Sequence, residues 1–407
     1  MLMLYAFFAP LGNLVRFGSE ENAFGATSII ITLICLSSFQ IGLRVAQRHF
    51  VFKAFAIIIV WMMAASFFAV DPVGAFVNGG SLVFYFILMA VAFFYLQEER
   101  LIFKTLALFC FGGLISSLIT VVDFLGVIHV PGFNESTFGT ATDQGAILQA
   151  SGPFSRRTAL AAYYTIVIAS GLLMSLIYRH TTLLKRFLFF SSAVMCAIAL
   201  MLTHNRAGII SAAFSCVYIL LGRSLSLQKV LIFVLLILLG GYALASAMKS
   251  FFPDALIVYG ALIGIGEIYV VDTYQAESDA IRFVLLWHSL TSVVTNPIGH
   301  GYSLLFGVSE RVDELADPHS MLTQVIWGAG FFGLVWLFYM LRLGLMETVK
   351  LVRQEGHQTS INSLALAILG GLLSFFIAGL AHTLISTGIA WLLLGALLRL
   401  RLYSRRG

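Results

Sequence analysis

Charge is what this sequence has least of: only 11% of its 407 residues are Asp, Glu, Lys or Arg, against 60% that are hydrophobic. A soluble domain needs roughly a quarter of its residues charged, so a water-soluble globular fold is excluded. Proline is scarce, with 7 residues in the whole chain, and little therefore interrupts long helices. The 4 cysteines, Cys35, Cys110, Cys196 and Cys216, fall inside apolar runs at no metal-ligand spacing. That excludes a disulfide framework and reads them as small buried hydrophobes. The chain does not open on a basic stretch, a short apolar core and a small-residue cleavage site, so it is expected to insert through its own first apolar run. No repeat of about 20–50 residues and no match between the two halves is visible, which argues against a solenoid or a recently duplicated transporter.

What the sequence does have is a succession of apolar runs. A bilayer core of roughly 30 Å takes about 20 apolar residues per helix. Runs of that order lie near 2–15, 25–43, 54–70, 79–96, 105–122, 158–178, 187–203, 207–222, 230–248, 320–341, 361–380 and 383–398. They predict an all-α integral membrane protein of about twelve transmembrane helices, one polytopic domain over 1–407. The runs 2–15 and 207–222 are shorter than a full span, so the first is expected at the interface and the second to end inside protein rather than in lipid.

Lys and Arg set the orientation, because short cytoplasmic loops retain positive charge during insertion. With both termini inside, most of the 24 basic residues fall in the cytoplasm, among them Arg44, Arg48, Lys53, Arg100, Lys104, Lys185, Arg186, Arg223, Lys229, Arg342, Lys350, Arg399 and Arg401. Most acidic residues fall on the other side. The protein is thus expected in the bacterial inner membrane, with its long segments 123–157 and 249–319 in the periplasm. Reporter fusions at Ser226 and Asp313 should report opposite compartments, and the same compartment for both would overturn the topology. The net charge of +5 is spread over these anchors and not gathered into a basic face, which argues against nucleic acid as a partner.

No span carries Lys, Arg, Asp or Glu near its middle. Ion-coupled carriers and proton relays place ionisable groups there. Here such groups gather at the outer ends of spans and in the two long loops, where function concentrates. A site at the membrane boundary, reached by a lipid-linked substrate, fits this distribution better than a through-pathway.

Four motifs sit there. Thr203-His204-Asn205-Arg206-Ala207-Gly208 joins two spans: Arg206 either snorkels to the interface or offers its five-donor fork to phosphate oxygens. Segment 279–294 alternates polar and apolar residues as an interfacial helix ended by Asn296-Pro297. It carries Arg282, which either pairs with Asp279 one turn away or faces a ligand, and Trp287. The turn Asn296-Pro297-Ile298-Gly299-His300-Gly301-Tyr302 follows, its glycines permitting a tight bend and close backbone approach. Asp317-Pro318-His319-Ser320 ends the acidic loop, and His319 is either a surface residue or a proton acceptor for a hydroxyl near neutral pH. Gly152-Pro153-Phe154-Ser155-Arg156-Arg157-Thr158 places two arginines ahead of a span as headgroup contacts or substrate ligands.

In this order and at these span ends, the motifs resemble the superfamily of O-antigen ligases and O-antigen polymerases, from about residue 60 onward. The family's arginine after a span matches Arg206, and its helix arginine, tryptophan and Asn-Pro-Gly-Gly turn match Arg282, Trp287 and 296–301. Its loop-end histidine matches His319, and its Gly-x-Phe element is similar to 152–158. The chain departs from the family's Asn-Pro-Asn at 155–157 and from its Ser-Arg-Gly at 205–207. The resemblance implies a GT-C-like fold and an inverting, metal-independent glycosyltransferase without a cofactor. Its donor is implied to be a glycan on undecaprenyl diphosphate, and its acceptor a hydroxyl of lipid A-core, of a growing glycan or of a protein. Arg206, Arg282 and His319 are the implied catalytic residues, with Asp317 orienting His319. Arg156, Arg157, Trp287, His300 and Tyr302 are implied to line the substrate site. The readings from other classes are a lipid-linked oligosaccharide flippase or transporter, which has to expose its site to both sides in turn, and a non-catalytic scaffold.

Overall fold

A computed structural model describes residues 1–11, 16–17, 24–124, 127, 136–138, 147–149, 157–178, 182–203, 206–222, 284–306, 315–316, 320–353, 360–380 and 387–404. Its helices are α1 (Leu2–Phe8), α2 (Ala26–Arg48), α3 (Phe50–Ala65), α4 (Pro72–Tyr95), α5 (Glu99–Phe124) and α6 (Arg157–Ile177). They continue with α7 (Leu183–Leu202), α8 (Arg206–Gly222), α9 (Val284–Thr295), α10 (Met321–Arg353), α11 (Ser360–Gly379) and α12 (Gly388–Ser404). Two-stranded antiparallel ribbons pair Arg16–Phe17 with Phe24–Gly25, Ser136–Phe138 with Ile147–Gln149, and Leu305–Phe306 with Leu315–Ala316, all in connections between helices.

Eight helical segments among the described residues are long and apolar enough to cross a membrane: Thr27–Arg48, Phe50–Phe68, Pro72–Tyr95, Glu99–Phe124, Leu160–Ile177, Leu183–Leu202, Met321–Met340 and Ser360–Gly379. Each overlies one of the expected runs. The other runs fare differently. Run 2–15 holds the 7-residue α1 and a 3-10 turn over Ala9–Leu11, about 10–15 Å of helix and too short to span. Runs 207–222 and 383–398 hold α8 and α12, each 17 residues long, and run 230–248 lies outside the described residues.

Local chemistry fixes several helix starts. At α4 the Asp71 carboxylate accepts from the Gly74 amide at 2.9 Å and Pro72 takes the first helical position, a cap worth about 1 kcal/mol. At α10 the Ser320 hydroxyl accepts from the Thr323 amide at 3.0 Å and shares a 2.7 Å hydrogen bond with its hydroxyl.

Helix α6 lies deep in the bundle against α7, α8 and α11, while α4 packs on α2, α3 and α12 and α10 on α3. Small residues let these backbones approach: a Cβ on Gly113 of α5 would stand 2.8 Å from Val167 of α6, and one on Gly371 of α11 would stand 3.0 Å from Ile166. Buried hydroxyls are satisfied locally. Tyr164 in α6 bridges Ser116 at 3.0 Å and Thr120 at 2.9 Å in α5, and Ser170 and Thr165 donate to carbonyls one turn back. The four cysteines are free and buried, and the Cys35 and Cys196 thiols donate to the Phe84 and Gly113 carbonyls at 3.3 and 3.4 Å. Large apolar side chains such as Leu36, Ile57, Phe67, Val73, Leu183 and Phe338 are left exposed on the outside. Exposure on this scale is costly in water at about 25 cal/mol per Å² and free in hydrocarbon, so this is a membrane protein.

Polar contacts gather at the two ends of the bundle. At one, the Glu99 carboxylate accepts from the Tyr178 hydroxyl at 2.9 Å and the Ser360 hydroxyl at 2.7 Å, drawing together the starts of α5 and α11 and the end of α6. His49 stands at the same end, and burial, then the charges of Arg399 and Arg48, hold its imidazole below the ordinary range. The other end holds the α3–α4 turn, the start of α10 and the segment after α9.

Candidate functional site

The best-defined polar cluster is where residues 296–303 seat against two distant parts of the chain. Helix α9 stops at Asn296-Pro297, and the Asn296 amide donates to the Ser292 carbonyl at 2.7 Å. The Asn296 side chain then closes the bend by donating to the Gly299 carbonyl at 3.1 Å. Gly299 and Gly301 take φ of 91° and 68°, a left-handed backbone that side chains resist. Space forbids a side chain as well: a Cβ on Gly299 would stand 2.6 Å from the Gly328 carbonyl oxygen, and one on Gly301 would stand 2.6 Å from the Ser66 Cα.

Helix α10 breaks to receive this turn. Gly330 leaves helical geometry with φ 56° and ψ −134°, which frees main-chain groups around residues 327–331. The turn takes them up: His300 and Gly301 amides donate to the Trp327 and Gly328 carbonyls, each at 2.9 Å, and the Phe331 amide donates to the Pro297 carbonyl at 2.9 Å. A third element closes the joint. The 3-10 turn Ser66–Phe68 follows α3, and its Phe68 carbonyl accepts from His300 Nδ1 at 3.0 Å. One turn earlier in α3, Trp61 Nε1 donates to the Ile298 carbonyl at 3.0 Å.

Around this frame buried polar groups accumulate: Ser66, Ser289, His300, Ser320, Thr323 and Gln324. The His300 ring stacks on Trp327, centroids 4.1 Å apart at 25°, and the His288 ring of α9 approaches the same indole at 5.5 Å. Trp327 Nε1 donates to the Ser303 hydroxyl at 3.2 Å, which donates to the His300 carbonyl at 2.9 Å. Burial holds the His300 imidazole below its ordinary range; the Phe68 hydrogen bond opposes this and the charge of His288 adds to it.

The expected site residues fall as follows. Arg206 opens α8, directly after the α7 end, where the Thr203 hydroxyl donates to the Leu200 carbonyl at 2.7 Å. Arg157 opens α6. His300 is 9% exposed and embedded in the joint, whereas Trp287 is 61% exposed on the outer face of α9. Tyr302 is half-buried, its Cβ 3.9 Å from where a Cβ on Gly79 of α4 would sit. Arg156, Arg282 and His319 lie outside the described residues, as do the loops 123–157 and 249–319 except for residues 123–124, 127 and 157, their ribbons, α9 and the turn after it. Sequence reasoning missed Phe68, Ser303, Gln324 and the break at Gly330. The Trp327-Gly328-Ala329-Gly330 run was the one visible signal of that break.

A bundle of membrane-length helices, with an amphipathic helix and a glycine turn bolted onto one end, defines a polytopic membrane protein with a built loop end. Residues 191–338, which reach from α7 through the break in α10, match the family model described as O-antigen ligase. Comparison with curated proteins gives no match.

Proposed function

We propose that the protein is an inner-membrane glycosyltransferase that moves a glycan from undecaprenyl diphosphate to a hydroxyl acceptor at the periplasmic boundary, as an O-antigen ligase with lipid A-core as acceptor. The observation that carries this reading is that the O-antigen ligase match, 191–338, encloses Arg206, Arg282 and His319 together with the joint at 296–303. Both termini face the cytoplasm in this proposal, and the end of the bundle bearing the joint faces the periplasm. The clustering of Arg48 and Arg399 near His49 at the opposite end supports that orientation.

The chemistry follows from the side chains. Arg206 and Arg282 hold the donor's diphosphate, whose oxygens gain charge as the anomeric C–O bond breaks. Fixed guanidinium forks stabilise that charge at no cost of reorganisation, an effect worth several kcal/mol in a water-poor site. His319 takes the proton of the acceptor hydroxyl as its oxygen attacks the anomeric carbon from the opposite face. The products are the inverted glycoside and undecaprenyl diphosphate. Arginine supplies the countercharge that a divalent metal supplies in other transferases, and the loop sequences offer no Asp-x-Asp pair or His/Cys cluster to hold one. Turnover is therefore expected to survive chelator, and loss that one specific metal restores would contradict this mechanism.

The polymerase reading uses the same donor site with a growing glycan as acceptor. Purified protein in nanodiscs, given lipid-linked glycan with either lipid A-core or a second lipid-linked glycan, separates the two by the size of the product. Glycosylated lipid A-core supports the ligase, and lengthened lipid-linked glycan alone replaces it with the polymerase.

A further inference from the structure

We infer that His300 is a positioning residue: its uncharged imidazole ties α9 and the glycine turn to α10 and to the end of α3, and acidification loosens this joint. The geometry is specific. One ring donates from Nδ1 to the Phe68 carbonyl at 3.0 Å, lies flat on Trp327 at 4.1 Å, and belongs to a residue whose own amide is bonded to the Trp327 carbonyl at 2.9 Å. It is thus the side chain on which the α3 end, the break in α10 and the turn converge.

The protonation state follows from the partners. With its proton on Nδ1, a neutral ring presents Nε2 as an acceptor. The Asn296 Nδ2, a donor already engaged with the Gly299 carbonyl, stands 3.3 Å from both ring nitrogens. An imidazolium offers that donor no acceptor on either nitrogen. Of the elements packed around the ring, α9 contributes His288, whose charge opposes a second one, and α10 contributes the uncharged Trp327 and Gln324. The Ser66–Phe68 turn contributes only its carbonyl, and Asp71 beyond it is engaged as the α4 cap. The indole face and the Phe68 carbonyl favour a cation, but burial outweighs them, and the group sits below its ordinary range. The sign follows: the undocked turn binds a proton more readily than the docked one. Docking is therefore strongest above about pH 6.5 and weakens as pH falls below it.

The consequence for activity rests on the function proposed above. In the sequence Arg282 lies two residues ahead of α9 and His319 one residue ahead of the Ser320 cap of α10, and the joint ties together the two described helices that follow them. Two measurements separate the claims. In hydrogen exchange of the full chain in nanodiscs, corrected for the intrinsic pH dependence, the amides of His300, Gly301 and Phe331 are expected to lose about tenfold protection between about pH 8 and pH 5. His300→Gln, which keeps a donor for the Phe68 carbonyl and cannot take a proton, should lose that dependence, while His300→Phe, which keeps only the stacking, should show weaker protection at every pH. Equal protection at both pH values in the unaltered protein, or the same acid response in His300→Gln, would overturn the joint. With undecaprenyl-diphosphate-linked N-acetylglucosamine as probe and a hydroxyl acceptor, the acid limb of kcat/KM should fall from a dependence on about two protons to about one in His300→Gln. An unchanged limb beside an acid-sensitive joint would overturn the positioning role. No turnover by unaltered protein with an intact joint would instead overturn the proposed function.

Discussion

His319→Ala is expected to lower glycan transfer by at least the ~10²-fold typical of a removed proton acceptor, while the lipid-linked donor still binds. The arginines should behave differently. Arg206→Lys is expected to fail nearly as badly as Arg206→Ala, because an ammonium keeps the charge and loses the paired N–H fork that matches a diphosphate. Either Arg206 or Arg282 substitution should also weaken binding of undecaprenyl diphosphate itself, which His319→Ala should leave measurable. Binding of the free diphosphate lipid, beside single-turnover transfer, sorts the residues into these two roles. Normal transfer by well-inserted His319→Ala would remove the histidine from the mechanism, and undiminished diphosphate binding in both arginine variants would remove the shared site.

Gly301→Ala carries the second large effect. Its φ of 68° is left-handed, and the new Cβ would meet the Ser66 hydroxyl and stand 2.6 Å from the Ser66 Cα and 2.8 Å from its nitrogen, the last two being backbone that cannot swing aside. Left-handed backbone costs about 1–2 kcal/mol and overpacking about 1–3, so the joint should weaken by about 2–5 kcal/mol. Thermal unfolding should therefore begin earlier, and transfer should fall even though the residue touches no proposed ligand. Gly80→Ala in α4 is the control, since nothing lies within 4 Å of a Cβ there and the substitution should be neutral or slightly stabilising. Equal behaviour of the two variants would mean that the turn is not seated as described.

The membrane-length helices were legible because a helix that must cross lipid announces itself by composition alone: Thr27–Arg48 through Leu183–Leu202, with Met321–Met340 and Ser360–Gly379, overlie long apolar runs. The short α1 was harder, because apolar residues over 2–15 look alike whether they span or only cover a bundle end. Asn296, Gly299 and Gly301 announced a tight turn, and both glycines do take positive φ. What the turn rests on was not legible. The partner of His300 is a main-chain carbonyl 232 residues earlier, and a carbonyl carries no sequence signature. Of the two residues that the resemblance assigns to a substrate site, His300 is buried against main-chain partners and Trp287 is exposed on α9, an arrangement that residue type alone does not encode. The helix α9, expected over 279–294, is described over Val284–Thr295, with Leu285 and Ser289 inward and Val284, Trp287, Leu290 and Val294 outward. Such an outward apolar face suits the interfacial position its pattern suggested.

Transfer and translocation differ in one event, the cutting of the donor's anomeric bond. The direct measurement is the mass balance of lipid products after proteoliposomes holding the purified protein are given a glycan on undecaprenyl diphosphate and a hydroxyl acceptor. A transferase predicts one undecaprenyl diphosphate released for each glycosylated acceptor, with chelator present; intact donor recovered from the opposite leaflet, with no glycosylated acceptor, would contradict it and identify a carrier instead.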